Sequence, residues 1–142
     1  TVCEALSRML AKDGEGATKL IEVKVVHACT PEDAYRVALS VAKSPLVKTM
    51  IFGEDANWGR ILAAVGYSGA NIDPARCGIR IGGLEMCRNG AAIAFDEAAA
   101  KTMLSGDEIL IEIDLQNGNA WDRFWTCDFT YDYVKINGSY RS

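Results

Sequence analysis

The sequence has 142 residues, 49% of them apolar and 24% charged, with a net charge of −4. That is enough apolar material for one core and the size of one domain or part of a larger fold. Acidic and basic residues are interspersed, which argues against a clustered basic face for nucleic acid. No apolar stretch reaches the roughly 20 residues that span a bilayer. No signal peptide opens the chain, so a soluble, cytoplasmic protein is expected. Five cysteines, at positions 3, 29, 77, 87 and 127, form no CxxC pair. They read as buried small hydrophobes rather than disulfides or zinc ligands. No metal site is expected, and the single histidine, His27, reads as structural.

Val2, Leu6, Met9 and Leu10 recur at helical spacing over residues 2–12, and Asp13-Gly14 ends that helix. Ile21, Val23 and Val25 alternate with Glu22 and Lys24 as a half-buried strand. Thr30-Pro31-Glu32-Asp33 starts a helix: a capping hydroxyl, a first-turn proline and two acids at the positive end. It runs to about Lys43, where Ser44-Pro45 interrupts it. Leu46–Phe52 fits a helix or a buried strand equally. Trp58–Val65 reads as a helix with Asn57 at its cap, and 66–76 as loop.

Short strands are expected at Cys77–Ile81 and Gly83–Cys87, then a turn at Arg88-Asn89-Gly90 and a strand over Ala91–Phe95. Asp96 caps a helix through Leu104. Ile109, Ile111, Ile113 and Leu115 make the clearest strand. Asn117-Gly118 should turn it into an antiparallel partner at Ala120–Cys127, with a terminal helix at Thr130–Ile136. The mixed order gives an α+β (mixed α/β) fold. Residues 66–76 are the best candidate for a boundary, dividing the chain into 1–65 and 66–142.

The most unusual stretch is Asp13-Gly14-Glu15-Gly16-Ala17-Thr18-Lys19. Two glycines flank one carboxylate, allowing a tight turn and close approach to a ligand. It is not a dinucleotide fingerprint, because Lys19 stands where the third glycine should be. It is not a P-loop, because it follows a helix and lacks the Gly-Lys pair. An ordinary helix-to-strand turn and a ligand-contacting loop remain equally consistent with the residues.

The stretch DGEGATK at 13–19 resembles the signature of the ornithine acetyltransferase family, also called bifunctional glutamate N-acetyltransferase. Leu46-Val47-Lys48-Thr49 with Phe52-Gly53-Glu54-Asp55-Ala56-Asn57-Trp58-Gly59-Arg60-Ile61 resembles a second family pattern. Trp125–Val134, followed by Ile136-Asn137 and a short tail, resembles a third. The three fall in order along the whole chain.

The resemblance implies a precursor that cleaves itself before a threonine, which becomes the acyl-accepting nucleophile. It implies transfer of acetyl from N-acetylornithine to glutamate, in arginine biosynthesis. It implies the end of the family's sandwich domain in 1–65 and a smaller C-terminal mixed-sheet subdomain in 66–142. The partners implied are the α chain and the N-terminal part of the β chain, assembled as oligomers of α/β units. No cofactor is implied; some family members also use acetyl-coenzyme A as a co-substrate. Thr1 is not expected to be the nucleophile, because the family's threonine lies well upstream of this motif. No catalytic residue is therefore expected in this chain.

By position, Glu15, Asn137 and Ser142 match the family's substrate contacts. Ornithine has a cationic side chain and glutamate an anionic one, so a carboxylate facing the side chain would favour one and repel the other. Recognition of the amine common to both avoids that conflict. The alternative for Glu15 is a structural carboxylate accepting loop N–H bonds, and for Ser142 an uninvolved terminal residue. An amide and a hydroxyl at Asn137 and Ser142 suit either charge. Arg60 could bind a carboxylate bidentately, but the favoured reading is structural, with Trp58 packed and Arg60 paired with Glu54 or Asp55; Lys19 could pair with Asp13 or Glu15 and is left unassigned. The competing readings are a related N-terminal-threonine aminopeptidase or hydrolase, and a non-catalytic binding domain.

Overall fold

The computed structural model describes residues 2–12 and 18–128. The elements in chain order are α1 (Val2–Lys12), β1 (Leu20–Ala28), α2 (Pro31–Ala42), α3 (Pro45–Phe52) and α4 (Trp58–Gly66). A single 3-10 turn, β2 (Gly78–Ile81), β3 (Leu84–Arg88), β4 (Ala91–Ala92), α5 (Glu97–Leu104), β5 (Glu108–Asp114) and β6 (Ala120–Cys127) follow. The fold is α+β, built on one six-stranded mixed sheet in the order β4-β3-β2-β5-β1-β6.

The expected hairpin of β5 and β6 is not formed. β1 lies between them, parallel to β5 and antiparallel to β6. The other edge of β5 is occupied by β2, so β6 cannot pair with β5 and extends the sheet beyond β1. Its connection therefore crosses the end of β1. Asn117 N–H donates to the His27 carbonyl at 2.8 Å. At Gly118 a side chain would not fit, because a Cβ there would lie 2.5 Å from the Ala28 carbonyl oxygen. Period-two alternation identifies a strand but carries no information on which neighbour it takes.

Local chemistry explains the helices. Thr30 Oγ1 accepts from Asp33 N–H at 3.1 Å and caps α2. Ser44-Pro45 ends α2 and also starts α3, with Ser44 Oγ accepting from Val47 N–H at 3.3 Å. That settles Leu46–Phe52 as helix. Asn57 precedes α4 but makes no side-chain cap bond. Only Ala91–Ala92 of the expected fourth strand is paired as strand, before Asp96 caps α5. The expected terminal helix lies outside the described residues.

One face of the sheet carries the core. Ile21, Val23 and Val25 of β1 and Ile109, Ile111 and Ile113 of β5 are buried with Val37, Val41, Ile61 and Val65 from α2 and α4. Each such side chain contributes about 1.5–3 kcal/mol. Residues on both sides of Gly66 share this sheet and this core cluster. Cys77 and Cys87 belong to it, and burial pushes the Cys77 thiol up to about 11. Cys3 and Cys29, by contrast, are exposed and Cys127 is half-buried, so the cysteines are not uniformly core residues. His27 pairs through Nδ1 with Asp114 at 2.9 Å. Among the described residues no helix is long and apolar enough to cross a membrane.

The opposite face carries a row of charges across five strands: Glu85, Arg80, Glu112, Lys24 and Arg123, each beside the next. Signs alternate until Lys24 meets Arg123, a like-charge pair that costs stability. Glu4 of α1 offsets it by accepting from Arg123. Arg8 of α1 pairs with Glu108 at 2.9 Å. α1 thus turns charged side chains toward the sheet and leaves Leu6 and Met9 exposed.

The hydrogen bond and charge of Arg123 hold the Glu4 carboxyl below the usual carboxylate range. A lowered folded-state pKa adds stability above the unfolded value, lost as pH falls through the folded one. α1 should therefore loosen from the sheet in acid. At neutral pH, Glu4→Gln should raise amide hydrogen exchange in residues 2–12 above that of the parent protein, with β1 and β5 unchanged.

Candidate functional site

β1 begins at Leu20 and β6 ends at Cys127, and these two residues are paired in the ladder. The chain just beyond each end is held by one side chain, Asp128. Its carboxylate is 1% exposed. Oδ1 accepts from the Thr18 N–H at 2.9 Å and the Lys19 N–H at 2.8 Å. Oδ2 accepts from the Thr18 hydroxyl at 2.6 Å. The Asp128 N–H donates to the Lys19 carbonyl at 3.3 Å. Three donors on a buried carboxylate are what make its burial tolerable.

Lys19 points into the fold, with 8% of it exposed. Its ammonium donates to the Leu104 carbonyl at the end of α5, and lies 3.4 Å from the Gly106 carbonyl. A cation there also meets the negative end of the helix dipole. Glu54 completes the group, with Oε1 3.6 Å from Nζ. These are the described partners of Lys19; Asp13 and Glu15, the candidates offered by the sequence, lie outside the described residues.

Glu54 occupies an unusual backbone position. The end of α3 closes with Glu54 N–H donating to Ile51 O at 3.2 Å and Asp55 N–H to Met50 O at 3.0 Å. This is a Schellman closure, whose left-handed residue is commonly glycine. Here that residue is Glu54, at φ 55°, and the glycine stands one place earlier with φ −77°. A non-glycine residue there costs about 1–2 kcal/mol. Strained positions of this kind persist where the surroundings enforce them, and the Glu54 carboxylate faces Lys19.

Three sequence motifs therefore converge: Thr18 and Lys19 from the first, Glu54 from the second and Asp128 from the third. Asp128 and Glu54 stand within those motifs, yet sequence reasoning gives neither a role at this point. The available signals are an acid directly after an amphipathic strand and an acid after Gly53. Arg60 is not paired with Glu54 or Asp55; its guanidinium donates to the Leu46 carbonyl at 3.1 Å and Thr49 Oγ1 at 3.4 Å, tying α4 to α3. Trp58 packs against the core.

The site residues expected from resemblance, Glu15, Asn137 and Ser142, lie outside the described residues. Their segments join the described chain at Thr18 and Asp128, the two residues that bond each other. Among the described residues no group of three or more His, Cys, Asp or Glu could hold a metal ion. Beside Leu20, a groove of about 230 Å³ is lined by Arg8, Glu22, Glu108 and Trp125. Arg8 already neutralises Glu108 there.

Asp128→Ala would leave the Thr18 and Lys19 N–H groups without their acceptor. Loss of bonds to a buried charge should lower unfolding stability by roughly 3 kcal/mol, read from urea unfolding followed by tryptophan fluorescence.

A family model described as the ArgJ family matches residues 1–142. The "Arginine biosynthesis bifunctional protein ArgJ" of Caldanaerobacter subterraneus subsp. tengcongensis is 54% identical over 145 residues, covering 99% of this chain and 36% of that protein. Its namesake in Symbiobacterium thermophilum is 56% identical over 137 residues, covering 96% of this chain and 34% of that protein. The crystal structure of the same-named protein from Bacillus halodurans superposes with a TM-score of 0.94 at 44% identity, covering 98% of this chain and 66% of that one. The chain thus spans about a third of the length of the curated relatives it matches. The full-length family match, together with the shared fold, shows that this chain belongs to the ArgJ family.

Proposed function

We propose that this chain is the substrate-binding portion of a glutamate N-acetyltransferase of the ornithine acetyltransferase type. The carrying observation is the convergence of three motifs on the Lys19–Glu54–Asp128 group. Close relatives named as bifunctional arginine-biosynthesis proteins support the reading. The rest of the precursor, including its α chain and the N-terminal part of its β chain, supplies the threonine nucleophile. The complete enzyme acts in the cytoplasm as an oligomer of α/β units.

In the first half-reaction the threonine oxygen attacks the acetyl carbonyl of N-acetylornithine. The amide C–N bond breaks, an ester forms, and ornithine leaves as its amine with the proton taken from threonine. In the second, the amine of glutamate attacks the ester, N-acetylglutamate forms and the threonine hydroxyl returns. The acetyl group comes from substrate, so no resident cofactor takes part.

Glu15 recognises the α-amine that ornithine and glutamate share, assisted by Asn137 and Ser142. This assignment satisfies both substrates, whose side chains carry opposite charges. An amide and a hydroxyl beside it can donate or accept for either substrate.

In the complete enzyme, Glu15→Ala should weaken both substrates, raising each KM by about tenfold or more, the loss of one hydrogen bond from the carboxylate to the α-nitrogen, an amide N–H in N-acetylornithine and an ammonium in glutamate. Steady-state kinetics with each substrate varied in turn checks this; an effect on ornithine-side substrates alone would place the carboxylate against the side chain instead. Residues 1–142 purified alone should show no transfer from N-acetylornithine to glutamate, and any turnover would show that this portion holds its own nucleophile.

A further inference from the structure

We infer that the outward face of α1, with Trp121 beside it, is the surface on which the N-terminal part of the β chain docks, an inference that rests on the reading above of this chain as one part of a longer precursor. An amphipathic helix ordinarily turns its apolar side to the core. α1 is set the other way round. Glu4 and Arg8 stand four residues apart, hence on one side of the helix. They bond Arg123 of β6 and Glu108 of β5, the strands on either side of β1. Cys3, Leu6 and Met9 recur at every third position on the other side, and all three are exposed, Leu6 to 53% and Met9 to 59%. With both ion pairs in place the helix cannot rotate these side chains back to the sheet.

The patch continues from the helix onto the sheet. Arg123, held by Glu4, lies 5.8 Å from the centre of the Trp121 ring. Trp121 is itself 54% exposed and lines a groove of about 270 Å³ with Lys24, Val26 and Asn119. Contiguous apolar exposure rimmed by polar groups marks an interaction surface.

The size of the patch and the length of the relatives select the occupant. About two thirds of each curated relative lies outside the segment that this chain matches. On the reading above, the N-terminal part of the β chain leads directly into α1. A second copy of this chain fits less well. An 11-residue helix is about 16 Å long, and one face of it with a single tryptophan falls short of the roughly 800 Å² per partner of a stable complex. A segment joined to α1 through the chain needs no such area, because the link supplies a high effective concentration. The docking surface it presents is apolar, to match Leu6, Met9 and Trp121.

The test uses the complete α/β enzyme with Met9 replaced by photoreactive p-benzoylphenylalanine, irradiated and mapped by mass spectrometry. The expected adduct joins position 9 to a β-chain peptide that precedes residue 1. An adduct only to the α chain, an adduct only within residues 1–142, from a second copy or the same one, or no adduct at all overturns the inference. A double variant, Leu6→Gln with Met9→Gln, keeps good helix formers and should lower the melting temperature by about 4 °C or more. Parental melting overturns the inference as well, since exposed positions tolerate such changes. Acetyl transfer from N-acetylornithine to glutamate is assayed on the parent enzyme alongside. Transfer without the adduct removes the docking and keeps the proposed function; the adduct without transfer does the reverse.

Discussion

A buried carboxylate must be met by donors, and among the described residues those of Asp128 come from a single short stretch, Thr18-Lys19. The arrangement requires the chain after β6 to return to the point where the chain enters β1. These bonds continue the β1–β6 pairing one step past its last ladder pair, Leu20 and Cys127. They also aim Lys19 into the fold, because its backbone is held facing Asp128 while its side chain reaches the end of α5. One carboxylate thus ties the end of β6 to the start of β1, and through Lys19 that junction reaches the end of α5.

The group combines costs and compensations that only make sense together. Glu54 sits where glycine would be easier, and its carboxylate offsets the buried ammonium of Lys19. Lys19 in turn satisfies carbonyls that the end of a helix leaves unpaired. Replacing any one member exposes a cost that the others cover. The charged face of the sheet shows the same logic at lower stakes, with Glu4 relieving the Lys24–Arg123 neighbour pair in partial contact with water.

Elements governed by short-range chemistry are legible in the residues themselves. The Thr30-Pro31 start of α2, the Asp96 cap of α5 and the alternation in β1 and β5 each follow from neighbours within a few residues. Ser44-Pro45 is legible only as a stop, because the same two residues serve as the next helix's cap. The partner of β6 is not legible, since pairing is decided by which sheet edge remains open. The site is legible as motifs and illegible as contacts: Thr18 and Asp128 stand 110 positions apart, and nothing local indicates that they meet. The family resemblance carries the segments through 13–17 and 129–142, while the Lys19–Glu54 pair emerges from the fold alone.

The central place of β1 has a consequence for how the protein is made. Its neighbours, β5 and β6, come from the far end of the chain. At about 5–20 residues per second, translation leaves this Val- and Ile-rich strand without either neighbour for several seconds. Unpaired apolar strands are templates for aggregation. Glu22 and Lys24, which interrupt the apolar run of β1 at every second position, then act as gatekeepers in the nascent chain. Their charges protect the strand before the sheet exists, a service separate from the one they perform within it.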